Sequence, residues 1–197
     1  MTSFTVEVDD QAAQTALNRL AQKFSDAQPV LQAVGDGIME RTKDRFDASQ
    51  GPDGTPWKEN KPSTVAAWLG KGKTYRNKSG DLNAAGLRKW VAKKPLIGKS
   101  GDLSRQFVVQ AGSNEVVVGS TMVYAAIHQF GGRTSPHVIR PRYKQALAFN
   151  GIVRKSVQHP GSDIPARPFL PVRQDGTLYP QERAAIIADV NALLDLE

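Results

Sequence analysis

The chain has no cysteine in 197 residues. That excludes a disulfide framework, a zinc–thiolate site and a cysteine nucleophile. Histidine is scarce, present only at 128, 137 and 159. None stands in an HExxH or HxH spacing or beside a cluster of acids, so no metal site and no cofactor are expected. No GxSxG elbow and no strand, glycine loop and helix of the phosphate-binding kind occur. GPDG at 51–54 lacks the further acidic ligands of an EF-hand loop. No apolar run approaches the ~18 residues that cross a bilayer, so no membrane partner is expected. The first residues, MTSFTVEVDD, lack the basic start and apolar run of a secretory signal. With no recognisable nucleophile, paired carboxylates or metal set, an enzyme is not expected.

What is present fits one domain spanning 1–197. A chain of this length buries roughly 70% of its unfolded surface and needs no staple. The net charge is +7 and the sequence pI about 9.7. The excess is local. Residues 71–99 hold Lys71, Lys73, Arg76, Lys78, Arg88, Lys89, Lys93, Lys94 and Lys99 against Asp81 alone, a net +8. The remainder taken together is close to neutral. A solvated basic face is the ordinary meaning of such a run. The functional meaning is contact with the phosphates of nucleic acid.

Hydrophobic period places the elements. Phe4, Val6 and Val8 alternate like a half-buried strand. Asp9 or Asp10 caps a helix through about Ala27, and Pro29 opens a second one to about Ala48. The stripe of that second helix is Val30, Val34, Ile38, Thr42 and Phe46, widened by Leu31. SQGPDGTPW, 49–57, is a tight loop anchored by Trp57. STVAAWL, 63–69, is a short helix capped by Ser63 or Thr64. FVVQ and EVVVG flank a turn and form a hairpin. MVYAAIHQF is a short helix stopped by Gly131 and Gly132. HVIRP, ALAF and IVRKSVQ are further strands, and the proline-rich IPARPFLPV is an extended edge or loop. A last helix covers 180–195, with Ala184, Ile187, Val190, Leu193 and Leu194 on one face. The expected fold is α+β: an antiparallel β-sheet packed against two N-terminal helices and one C-terminal helix.

KSGDL occurs at 78–82 and again at 99–103, but the residues that follow differ. Shared turn chemistry explains this better than a repeat: glycine permits the turn, and Asp or Ser starts the next element. Within YAAIHQFGG, Tyr124, Ile127 and His128 share one helical face. Tyr and His each join an apolar body to a polar tip, which suits a seam between elements or subunits. Arg167, Pro168 and Phe169 form a stiff arm whose guanidinium can fork onto carbonyls or a carboxylate and whose ring can plug a pocket.

SQGPDGTPW after a long helix, LIGKSGDL, YAAIHQFGG and IPARPFL, in that order, resemble the phage virion morphogenesis family. These are the tail-completion proteins of contractile-tailed phages, similar to tail terminators. The resemblance covers roughly 35–195. IRPRYKQALAF followed by HPGSDIPARPFL is similar to members with an extra β element there. Residues 70–94 have no counterpart and are expected to be a basic insertion. The resemblance implies a structural protein that acts in the virion, is assembled in the host cytoplasm, completes the tail and helps form the head–tail joint. Its implied partners are further copies of itself in a ring of six, the tail tube, head-completion proteins and, non-specifically, DNA. The motif positions carried over are Gly51, Asp53, Gly54 and Trp57; Tyr124, His128, Gln129, Gly131 and Gly132; and Arg167, Pro168 and Phe169. The second and third sets are expected at a subunit interface, with the Arg167–Phe169 arm of one copy docking near the YAAIHQFGG helix of its neighbour. On that expectation Arg167→Ala and Phe169→Ala spoil assembly and leave the monomer folded. The rival function is a DNA-binding module acting through residues 71–99.

Overall fold

The computed structural model describes residues 27–70, 72–149 and 152–194. The strand expected at Phe4–Val8 and nearly all of the helix expected to end at about Ala27 lie outside the described residues, as does Lys71. The expected long helix is α1, Gln28–Ala48. Pro29 sits in its first turn, where a missing N–H deprives no helical partner. Val34, Ile38, Thr42 and Phe46 are buried along the expected stripe, joined by Gly35 and Arg45. The helix stops at Ser49, which turns left-handed at φ 55°.

α2, Pro62–Leu69, begins one residue earlier than expected. Neither Ser63 nor Thr64 caps it; Lys61 holds the cap position without a side-chain bond, and Pro62 supplies the preset φ. α3, Ala84–Val91, is capped by Asn83, whose Oδ1 accepts from the Gly86 N–H at 2.9 Å. α4 is the short turn Asp102–Arg105. The two KSGDL copies do share a local device. Ser79 donates to Asp81 and Ser100 to Asp102, each at 2.6 Å, and Gly80 and Gly101 carry φ of 92° and 71°. The pentapeptide repeats a turn, and the chain diverges after it.

β1, Phe107–Ala111, and β2, Val116–Ser120, form the expected hairpin. It lies tight on α1: a methyl on Gly35 would sit 2.5 Å from Val109 and 2.6 Å from Val116. α5, Ala125–Phe130, follows and stops at Gly131. Then come β3, Gly132–Arg133; β4, His137–Ile139; β5, Leu147–Phe149; β6, Ile152–Arg154; β7, Val157–His159; and β8, Asp163–Ile164. The chain closes with α6, Pro180–Leu194.

The class is α+β, but among the described residues the strands do not merge into one sheet. The described strands form four antiparallel pairs, β1–β2, β3–β8, β4–β7 and β5–β6. The last three are nested into one long ribbon. Its strands are two or three residues long, and Pro136, Pro141 and Pro160 fall between them, where proline cannot donate to a ladder.

The core is an aromatic cluster of Phe46, Trp57, Leu103 and Phe169, with Leu96, Ile97, Phe107, Met122, Ala125 and Leu170 packed around it. Phe46 meets Trp57 edge-on at 5.2 Å and 78°, and Phe169 at 5.3 Å. α6 packs against α1 by a different face from the one its apolar pattern indicates. Glu182 is buried and Ala185, Ile186, Asp189 and Val190 are half-buried, whereas Ala184, Ile187 and Leu193 are exposed. The reason is the opposing surface: α1 presents Arg41 and Arg45 there, so acids turn inward to meet them.

Candidate functional site

Three of the sequence motifs, far apart in the chain, converge on the extended segment 165–172. Gln129 is the keystone. Its side-chain oxygen accepts from the N–H groups of Phe169 and Leu170, and its NH2 donates to the carbonyls of Leu170 and Val172, all at 2.9 Å. Both donors and both acceptor sites of the amide are filled. One buried side chain thus replaces the neighbouring strand that a proline-rich segment cannot pair with. The arrangement needs α5 to stop at once. Gly131 takes φ 74°, and a Cβ there would lie 2.8 Å from the Ala166 nitrogen.

Arg167 is spent on the same lock. Its backbone N–H donates to the His128 carbonyl at 2.8 Å, and its guanidinium to the carbonyls of Lys58 and Glu59 at 2.7 and 3.0 Å. Burial pulls the guanidinium below its ordinary pKa. Pro168 gives its carbonyl to the Trp57 indole N–H at 2.9 Å. Phe169 is fully buried, and its carbonyl accepts from Arg45 at 2.8 Å. The loop before Trp57 is held by an Asx turn from Asp53 to the Thr55 N–H at 3.0 Å, with Gly54 at φ 79° and Gly51 bonded to the Thr55 carbonyl at 2.8 Å.

This corrects the expected role of the arm. Arg167 and Phe169 dock on their own chain, so the ring of Phe169 is not free to plug a neighbour. Removing either side chain is expected to damage the monomer itself. Tyr124 and His128 do face outward in part. They meet edge-on at 5.9 Å and line a groove of about 750 Å³ with Trp68, Lys93, Leu96 and Arg167. Burial first, and the nearby Arg167 charge second, hold the His128 imidazole below its ordinary pKa. Its Nδ1 is buried without a hydrogen-bond partner. The groove brings an imidazole, an indole and cations together. Among the described residues no group of three or more His, Asp or Glu is placed to hold a metal, and no helix is long and apolar enough to cross a membrane.

A model of the phage virion morphogenesis family matches residues 8–186. The chain belongs to that family. It is also similar to the putative capsid assembly protein G of Escherichia phage Mu, at 25% identity over 170 residues, covering 86% of this chain and 96% of that protein. No solved structure matches it.

In this virion morphogenesis protein the basic run divides by use. Arg76 donates to the Gly70 and Gly80 carbonyls at 3.0 and 2.7 Å and so closes its own loop. Lys93 lies over the Trp68 ring at 5.2 Å and donates to the Ile97 carbonyl, and burial lowers its pKa. Lys94 reaches the Asp47 carbonyl at 2.7 Å. Lys73, Lys78, Arg88 and Lys89 are exposed and form the cationic surface the segment offers.

Sequence reasoning missed the ion network beneath the core. The Glu182 carboxylate, 1% exposed, bridges Arg45 and Arg41, the latter at 2.8 Å, and Arg41 also reaches Asp189 at 2.8 Å. One signal was available: Arg41 and Arg45 are four apart and flank the buried Thr42 of the α1 stripe.

Proposed function

We propose that the protein is a non-enzymatic structural component that completes the phage tail and forms part of the head–tail joint, working as a ring of copies, six by analogy with tail terminators. Family membership over most of the chain carries the virion assembly role. The geometry supports a structural reading of the motifs. Gln129, Arg167 and Trp57, the polar groups that mark the family resemblance, are consumed in locking backbone to backbone, as a scaffold needs and a reaction does not. The Mu relative is named for capsid assembly, while the motif order resembles tail-completion proteins. A joint between head and tail is where the two descriptions meet. Assembly in the host cytoplasm and residence in the virion follow from this reading. In it, the exposed Lys73, Lys78, Arg88 and Lys89 meet DNA passing through the joint. Such contacts are sequence-independent and weaken with salt.

The test is the mass of the purified full-length protein by light scattering, across concentration and with tail tubes added. A ring-sized species, alone or induced by tubes, is expected. A monomer that ignores tubes and binds duplex DNA through residues 71–99 supports the rival reading, a DNA-binding module, in place of this one.

A further inference from the structure

The described residues of 132–164 form the nested ribbon. Arg133 lies opposite Asp163 and His137 opposite His159. The register therefore runs unbroken across the three residues between them on each side, where the Thr134 N–H donates to the Ser162 carbonyl at 3.0 Å and the Ser162 N–H to the Thr134 hydroxyl at 2.8 Å. Beyond Ile139 and Val157 it slips. Residues 140–146, RPRYKQA, bulge out against only residues 155–156 before Leu147 meets Arg154. The ribbon is wet and apolar at once: Val138 is 43% exposed, Val153 67% and Tyr143, at the bulge, 85%. It is also basic. Arg133, Arg140, Arg142, Lys144, Arg154 and Lys155 stand against Asp163 alone. Only Arg133 finds that acid, at 3.6 Å.

The near-neutral remainder outside 71–99 is thus two opposed parts. The ribbon carries net +5, and everything outside the ribbon and residues 71–99 carries 17 acids against 11 cations. Part of that excess lies on the outer face of α1. Glu40 and Asp47 have side chains 63% and 88% exposed, with Lys43 at 2.8 Å from the first and Lys94 at 3.7 Å from the second, and Asp44 between them is exposed too. A two-stranded ribbon is marginal alone in water, and its open edges and apolar side chains call for cover. A polyanion would use the cations and leave Val138 and Val153 wet. A protein surface that offers acids beside apolar contact uses both.

We propose that the ribbon of one copy docks on the acidic outer face of α1 of a second copy. The contact is heterologous, one patch on a different patch, so copies joined in this way propagate into a closed ring or an open chain. This deepens the ring reading above and rests on it.

Full-length protein tests it by light scattering over a concentration series. One variant reverses the ribbon, Arg140→Glu with Arg142→Glu and Lys144→Glu, which takes its net charge from +5 to −1. A second reverses the helix face, Glu40→Lys with Asp44→Lys. All five side chains are exposed, and circular dichroism is expected to match the wild type. Each variant alone is expected to need roughly tenfold or more protein to assemble, because like charges then meet. An equimolar mixture of the two is expected to assemble again, since every ribbon then finds a face of opposite sign. If the ribbon variant assembles as the wild type does, the ring stands and this docking is overturned. If the wild type stays monomeric with and without tail tubes, the ring and the docking fall together. If the ribbon variant keeps its mass but loses duplex DNA, the ribbon's occupant is nucleic acid and the proposal is overturned.

Discussion

Two neighbouring stretches of this chain make opposite use of extended backbone. Residues 165–172 have no paired strand beside them, yet Gln129, Arg167, Trp57 and Arg45 all close on their backbone or extend from it. The described residues of 132–164 are held chiefly by three short ladders between their own strands, with Val153 and Tyr143 left in solvent. Pairing alone therefore does not tell a fixed element from an available one. What distinguishes them is whether side chains from elsewhere in the chain satisfy the segment and whether its apolar groups are covered.

That contrast predicts a steep gradient of mutational effect. The largest losses belong to the lock. Gln129→Leu strands two N–H and two C=O groups in a buried place, costing about 2–5 kcal/mol. Phe169→Ala opens the aromatic cluster at about 3–5 kcal/mol. Urea denaturation of the dilute protein checks both, and a midpoint within error of the wild type would show that 165–172 is held some other way.

A smaller effect comes from His128. Its folded pKa lies below the unfolded value, so the folded state resists the proton. The stabilisation is complete above the unfolded value of about 6.5 and is lost as pH falls from there toward the folded one. Melting temperature followed from pH 7.5 to 5 should fall more for the wild type than for His128→Gln. Equal slopes would remove His128 as the cause. The smallest effect belongs to the ribbon: Val153→Thr should move the stability of the dilute protein by no more than about 0.5 kcal/mol. A loss comparable to that of Phe169→Ala would mean the ribbon is part of the core, and the contrast would be gone.

Much of the frame was readable from local pattern. Pro29 and a stripe at helical spacing marked α1 almost to the residue, the turn between FVVQ and EVVVG marked the hairpin, and Gly131 marked the end of α5. These signals are local because caps, turns and periodicity are decided within a few residues. What escaped depends on distant partners. The inward face of α6 is set by Arg41 and Arg45, so its apolar pattern pointed the wrong way. The salt bridge from Arg45 to Glu182 spans 137 positions and leaves no periodic trace. The arm looked free because a buried RPF and an exposed one read alike until Gln129 is seen beside them. The basic ribbon was hidden by arithmetic: its charge cancelled against acids elsewhere in the chain.

Hydrogen exchange of the full-length protein, dilute and then assembled on tail tubes, tests the contrast most directly. The amides of Phe169 and Leu170 are expected to exchange slowly in both states. Those of residues 137–159 are expected to exchange fast when dilute and to become protected on assembly. Ribbon amides that exchange alike in both states, or a 165–172 segment that opens as readily as the ribbon in dilute protein, would contradict the account.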